Sequence, residues 1–305
     1  VCGVEVQRDG AVLKFLASRV LSLVPVLLGV SVLVFLLMRL IPGDAIEVYV
    51  GTQVELTWEQ RRELERIFGM DVPLHRQYLD WIGRALRGDL GTSLRTGRSV
   101  SREIAARFPV SAQLALLAVV FAVAVAVPLG VVSAVRRGSG ADAAVRLLGL
   151  LGLSLPGFWL ATLLVLIFSK YLPIGLVDHF APFGVDPVRN LKVMVLPSLA
   201  LAAALAAVLM RYVRSSLLEV LGQDYIRTAR SKGLWEAAVV GRHALRNALV
   251  PVVTVLGLQF GYLLGGTVVI EEIFAIPGMG RLVLYAIYQR DYPVVQSVVL
   301  LSALT

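Results

Sequence analysis

Five stretches of this chain, 20–38, 110–135, 147–169, 193–210 and 248–270, contain no Asp, Glu, Lys or Arg. Each has about 18 residues or more, enough to cross a hydrocarbon core about 30 Å thick as a helix rising 1.5 Å per residue. A helix buried in a soluble protein is usually shorter and keeps one polar face. Five such stretches in one chain predict an all-α integral membrane protein. A sixth begins at Tyr292-Pro293 and is still apolar at Thr305. As a helix, 293–305 covers only about 20 Å, so the pattern reads as six transmembrane helices with the sixth incomplete at the C-terminus. The first stretch is too long for a cleaved signal peptide and reads as a retained helix. Three regions follow: 1–40, a cytoplasmic N-terminus and the first transmembrane helix; 41–108, a helical extracytoplasmic loop; and 109–305, a core of five transmembrane helices with an inner loop at 211–247.

The polar segments carry their own helix signals. Thr57 followed by Gln60 three residues on is a capping box, and 61–68 continues as an amphipathic helix that Gly69 stops. In 74–86, Leu74, Tyr78, Trp81, Ile82 and Leu86 fall on one face. The turn 88–93 ends the loop, which reads either as a cap over the outer helix ends or as a docking surface. In the inner loop, 211–220 extends the fourth helix and Gly222 breaks it. Asp224 caps a short helix over 225–231, and Gly233 ends that helix in the left-handed conformation. A further helix over 235–247 leads to Pro251. On the short helix Tyr225 and Ala229, four apart, form an exposed face ringed by Arg227, Arg230 and Lys232. Such a helix either lies on acidic headgroups or fits a groove in a cytoplasmic partner. In the fifth stretch Gly257, Gly261 and Gly265 form a line of small residues, followed by Gly266. The line serves packing within the chain or a seam with another subunit.

Charge then fixes the orientation. The net charge of +8 invites a nucleic-acid reading, but its placement opposes one. Arg8, Lys14 and Arg19 precede the first stretch, and Arg136, Arg137 and Arg146 lie between the second and third. Seven more basic residues, from Arg211 to Arg246, lie between the fourth and fifth. These gaps share one side if the stretches alternate, and the positive-inside rule assigns that side to the cytoplasm. The five apolar cores hold no ionisable side chain of the kind ion-coupled carriers keep at membrane depth. His75, His179 and His243 are isolated and Cys2 stands alone, which excludes a metal site by spacing. None of the four lysines, Lys14, Lys170, Lys192 and Lys232, sits in a phosphate-loop pattern. If ATP drives this protein, another subunit binds it.

Several motifs in order carry a family resemblance: Ile41-Pro42-Gly43-Asp44; Gly88-Asp89-Leu90-Gly91-Thr92-Ser93; Ser154-Leu155-Pro156-Gly157-Phe158-Trp159; and Leu172-Pro173-Ile174-Gly175. Then come the run from Gln223 to Gly233, Arg242-His243-Ala244-Leu245-Arg246-Asn247, Ile276-Pro277-Gly278-Met279-Gly280-Arg281 and Arg290-Asp291-Tyr292-Pro293. Across nearly the whole chain after Lys14 it resembles the inner-membrane permease subunits of dipeptide/oligopeptide/nickel ATP-binding-cassette importers. The long first outer loop fits the subunit with the larger insertion. The resemblance implies a type I importer permease fold with a cytoplasmic coupling helix, in a multi-pass subunit of the inner membrane. The subunit is then no enzyme and carries no cofactor of its own. Its implied partners are a homologous second permease, two cytoplasmic ATPase subunits holding ATP and Mg, an extracytoplasmic substrate-binding protein and the bilayer, with no nucleic acid. The implied cargo is a di- or oligopeptide, with nickel or another small solute as the alternative within the family and an ion-coupled secondary carrier outside it. Asp224, Tyr225, Arg227, Ala229, Arg230, Lys232 and Gly233 are then the coupling residues. Arg227 and Thr228 stand in the Glu and first Ala places of the Glu-Ala-Ala-x-x-x-Gly coupling motif, while Ala229 and Gly233 match it. Gly257, Gly261, Gly265 and Gly266 line the pathway or seam, and Asp89, Thr92, Ser93 and Arg281 are candidates for docking the binding protein.

Overall fold

The computed structural model describes residues 2–40, 45–50, 56–172 and 175–304. The 41–44 motif and Pro173-Ile174 lie outside the described residues. In chain order the helices are α1 (Cys2–Leu40), α2 (Ala45–Val50), α3 (Trp58–Ile67), α4 (Leu74–Leu86), α5 (Val100–Val135), α6 (Gly140–Ser154), α7 (Gly157–Lys170) and α8 (Pro187–Leu221). They continue with α9 (Asp224–Ser231), α10 (Glu236–Ala238), a π-helical turn (Val239–Ala244), α11 (Leu245–Gly266), α12 (Val268–Ile273), α13 (Met279–Tyr288) and α14 (Tyr292–Leu304). Among the described residues the only extended pairing is one antiparallel bridge, Thr92 with Ser99.

Four described helical segments are long and apolar enough to cross a membrane: Leu21–Leu40 of α1, α5, α8, and Glu236–Gly261 running through the π turn into α11. The third predicted crossing is not a single helix. α6 and α7 meet at 98°, because Leu155 and Pro156 are extended, with ψ of 122° and 132°. Proline has no N–H to continue the helix and drives the residue before it out of the helical region. Counted as one bent crossing, the pair brings the described total to five against the six expected. α14 is apolar, but its 13 residues fall short of a crossing.

The chain divides into two units, Val1–Arg107 with Leu282–Thr305, and Phe108–Arg281. In the first, α1 packs along α14, and α4 lies against the Leu40 end of α1. There Phe35 meets Tyr78 edge-on at 5.3 Å and stacks on Trp81 at 6.3 Å. The Tyr78 hydroxyl is 2.9 Å from Ser31 Oγ. Arg39 lies 3.5 Å over the Phe35 ring and donates to Gln77 Oε1 at 2.7 Å. The inward face of α4 is therefore its middle, whereas Leu74 and Leu86 at its ends are exposed. α3 opens on the predicted capping box, with Thr57 Oγ accepting from Gln60 N–H and Gln60 Oε1 accepting from Thr57 N–H. Gly69, at φ +65°, turns the chain away from it.

In the second unit α8 is the central helix, with α6, α7 and α11 packed on it. Asp186 caps it by accepting from Arg189 N–H at 3.0 Å, and Pro187 occupies the first position, where its missing N–H is harmless. Small residues let the neighbours approach closely. A Cβ on Gly130 of α5 would fall 2.7 Å from the Val213 side chain, and one on Gly152 of α6 3.1 Å from Ala207 Cβ. In lipid, hydrocarbon is no worse a solvent for Leu than a neighbouring helix is, so close backbone packing has to supply the association.

Candidate coupling site

α8 ends at Leu221, and after Gly222 and Gln223 the chain enters α9. Gln223, extended at ψ 151°, is the residue before the helix and makes no side-chain cap bond. Asp224 is thus the first helical residue and not the cap. Its carboxylate lies 3.3 Å from Arg227, where the helix dipole favours negative charge. At the other end Gly233 adopts φ +77°, as expected, and its N–H donates to Arg230 O. Ile226 and Ala229, three apart, are buried. They pack into a core made by Ala134 of α5, Leu217 of α8, Val239, Val240 and Ala244 of the π turn, and Ala248 of α11. This corrects the exposed face read from the sequence. Four residues turn the helix by about 400°, so Ala229 sits about 40° round from Tyr225. That rotation carries Ala229 to the side defined by Ile226 and leaves Tyr225 at the rim, its hydroxyl accepting from Asn247 Nδ2 at 2.8 Å.

The outward face of α9 presents Asp224, Tyr225, Arg227, Thr228, Arg230 and Lys232, continued by Gly233, Leu234 and Trp235. Arg230 forks onto Glu236, with Nη2 2.7 Å from Oε1 and Nε 3.1 Å from Oε2. Hydrogen bonding to that carboxylate lifts the guanidinium above its ordinary pKa. Glu236 was not among the sequence candidates; an acid just past the Gly233 turn, in reach of an arginine just before it, is the signal that would have found it. Core burial on one side, this ion pair across the turn and the Tyr225–Asn247 bond hold α9 as one body with the start of α11.

A second cluster escaped the sequence reading. Asp142, in the first turn of α6, is buried. It accepts from Ser133 Oγ–H on α5, from Gly138 N–H at 3.0 Å, and from Arg214 of α8 through Nε at 2.9 Å and Nη2 at 3.1 Å. One carboxylate thereby ties three helices. Its signals were Ser139 three residues before it, which caps α6 by accepting from Asp142 N–H, and its position as the one acid within the basic stretch 136–146. Replacing Asp142 by Ala strands a guanidinium, a hydroxyl and an amide together. The thermal aggregation midpoint of the purified complex is expected to fall by several degrees. An unchanged midpoint would show that the cluster does not hold the three helices.

The four docking candidates do not share one environment. Asp89 and Thr92 are exposed, Asp89 Oδ1 accepting from Gly91 N–H at 2.9 Å. Ser93 is buried, its hydroxyl donating to Asp291 Oδ2. Arg281 donates to Ala275 O at 2.9 Å and lies 3.2 Å from Glu272. Ser93 is thus tied to Asp291 and Arg281 to Ala275 and Glu272, each within its own unit. The segment around Arg281 explains the Ile276–Arg281 motif. Glu271, buried, accepts from Ser111 Oγ–H and from Arg281 N–H, and a Cβ on Gly278 would overlap its carboxyl group. A Cβ on Gly280 would lie 2.5 Å from Val268 Cα.

On α11, a Cβ built on Gly257 or Gly265 would meet no neighbouring group within 4 Å among the described residues; Gly261 is part-buried and Gly266 ends the helix. A cavity of 320 Å³ opens between Gly157 and Phe158 at the start of α7, Ala204 and Leu205 on α8, and Gln259 and Leu263 on α11. The arrangement is that of a membrane-embedded transport subunit, with spanning helices, a broken span beside a cavity, and a rigid helical knob between two spans. Residues 126–305 match the family described as binding-protein-dependent transport system inner membrane component, and residues 12–115 match the model of its N-terminal region. The chain belongs to this family, as a non-catalytic permease subunit of the dipeptide/oligopeptide/nickel type. It is 42% identical over 292 residues to the glutathione transport system permease protein GsiC of Salmonella typhimurium, covering 96% of this chain and 92% of the relative. It is 43% identical over 292 residues to GsiC of Pectobacterium atrosepticum, with the same coverage. It is 42% identical over 315 residues to the di/tripeptide transport system permease protein DppB of Pseudomonas aeruginosa, covering 95% of this chain and 92% of the relative. The family resemblance and the all-helical permease fold read from the motifs are thus borne out.

Proposed function

We propose that this chain forms half of the pathway of an importer for short peptides of the size of glutathione or di- and tripeptides. The named activities of the relatives support that cargo over nickel. A homologous permease completes the pathway, two cytoplasmic ATPase subunits bind ATP and Mg, and an extracytoplasmic binding protein delivers the peptide. The N-terminus is cytoplasmic, in keeping with the positive-inside pattern. The seam with the second permease runs along the glycine line of α11, Gly257, Gly261, Gly265 and Gly266, of which Gly257 and Gly265 lie beside open space. Asp89 and Thr92 belong to the surface that meets the binding protein.

The observation that carries the reading is α9, a short helix seated on a buried apolar base with its charged face outward. Such a helix transmits motion only as a rigid body, and its anchors to the π turn and α11 make it one. Closure of the ATPase pair moves α9 with its groove, and α8 and α11 tilt to open the pathway. In a Cys2→Ser background, Arg227→Cys is expected to cross-link to the ATPase subunit through a short bifunctional maleimide, and Arg66→Cys on α3 is not. Cross-linking from Arg66→Cys and none from Arg227→Cys would reverse the orientation and overturn the assignment.

A further inference from the structure

A crevice of about 350 Å³ between α6 and α8 has a chemistry that the transport reading does not use. Along most of its length it is hydrocarbon: Gly149, Leu150 and Leu153 from α6 face Ala207 and Met210 from α8. Leu150 and Leu153 are 62% and 44% exposed, so the trough opens sideways and is not a closed core. Its walls also include Arg146, Arg211 and Arg214. Arg146 lies one turn before Leu150 on α6, and Arg211 and Arg214 lie just past Met210 on α8, so the charges gather at one end.

The charge balance at that end is uneven. Arg214 is bound bidentately by Asp142. Arg146 reaches the same carboxylate only at 3.6 Å, with its side chain 58% exposed, and Arg211 is exposed. One carboxylate, in reach of Arg214 and Arg146, stands against the three guanidinium groups that line this end, a surplus of two positive charges beside an apolar trough on spanning helices. The complement is an anion with several acceptor oxygens joined to a long hydrocarbon chain. A peptide does not match, since apart from the arginines the one polar side chain lining the trough is Ser133, which is buried and donates to Asp142. A neighbouring apolar helix would fill the trough but leave the arginines unanswered.

We propose that this crevice holds one anionic diacyl phospholipid, with its phosphate on Arg146 and Arg211 and an acyl chain along Gly149, Leu150 and Leu153. Guanidinium groups bind phosphate oxygens in paired, charge-assisted hydrogen bonds, and basic pockets between spanning helices suit such headgroups. The lipid would bridge α6 and α8 beside the Asp142–Arg214 pair and brace the junction from outside.

The test uses the whole transporter in nanodiscs of phosphatidylcholine with or without phosphatidylglycerol, and native mass spectrometry of the lipid retained on gentle release. Selective retention of phosphatidylglycerol is expected, falling at least tenfold in Arg146→Gln/Arg211→Gln. Arg136→Gln/Arg137→Gln, which removes two arginines that do not line the crevice, is expected to retain it. Leu153→Trp fills the trough without touching a charge and is expected to expel the lipid as well, so the proposal does not rest on the arginine variant folding. Equal retention of phosphatidylcholine, undiminished phosphatidylglycerol in both crevice variants, or a disulfide from Leu150→Cys to the second permease would overturn it.

Discussion

Replacing Ile226 by Asp is expected to abolish coupling, lowering ATP hydrolysis stimulated by the loaded binding protein at least tenfold in nanodiscs while the subunit still inserts and assembles. Ile226 is fully buried beneath α9, in a core to which α5, α8, the π turn and α11 all contribute. A carboxylate there has no cationic partner among the residues of that core, and burying it uncompensated costs several kcal/mol. The helix can avoid that cost only by lifting from its base, and a lifted α9 no longer moves α8 and α11 as one body. Insertion is spared because α9 lies between the spanning segments. Ile226→Val, which removes one methylene at about 0.5–1.5 kcal/mol, should stay close to wild type. Arg227→Gln alters the outward face without disturbing the seat, so it is expected to weaken docking to the ATPase and not the stability of the subunit. Wild-type stimulation in the Asp variant would remove α9 from the coupling path.

How much of this site was legible in the sequence depended on the range of the interaction. The limits of α4, the Thr57–Gln60 box and the left-handed Gly233 are local features, settled within one turn of backbone, and the residues alone pointed to them. The burial of Ala229 is not local. It depends on which side of a short helix meets α5 and the π turn: Tyr225, Ile226 and Ala229 form an apolar stripe away from Asp224, Arg227 and Arg230, but nothing local says whether that stripe turns to the chain's own core or to a partner. The bend at Leu155-Pro156 sits inside an uncharged run, where hydropathy sees only length; the proline was visible, but its effect on direction was not used. The buried carboxylates were missed for a related reason. Asp142 and Glu271 lie at the margins of uncharged stretches, where an acid reads as a boundary marker. Only the folded chain brings Arg214 to the one and Ser111 to the other, 72 and 160 residues away.

That second carboxylate gives the other large expected effect. Gly278→Ala should destabilise the subunit by about 2–5 kcal/mol, from overpacking and from hydrogen-bonding groups left unsatisfied. The added Cβ would occupy the space of the Glu271 carboxyl group. To admit it, Glu271 must leave both the Ser111 hydroxyl and the Arg281 N–H, and Ser111 Oγ in turn accepts from Met279 N–H at 2.8 Å. The amide donors at the start of α13 thus depend directly and indirectly on this carboxylate. Shortening it separates the two contributions. Glu271→Ser alone loses the acceptor but frees the space, so in Glu271→Ser/Gly278→Ala the methyl group meets no carboxyl. The double variant is expected to be at least about 1 kcal/mol more stable than the sum of the single changes predicts, a coupling within the range for residues in contact. Thermal denaturation of the four proteins in one detergent measures that difference. Strictly additive losses would mean that Gly278 is required for its backbone conformation and not for the room it leaves to Glu271.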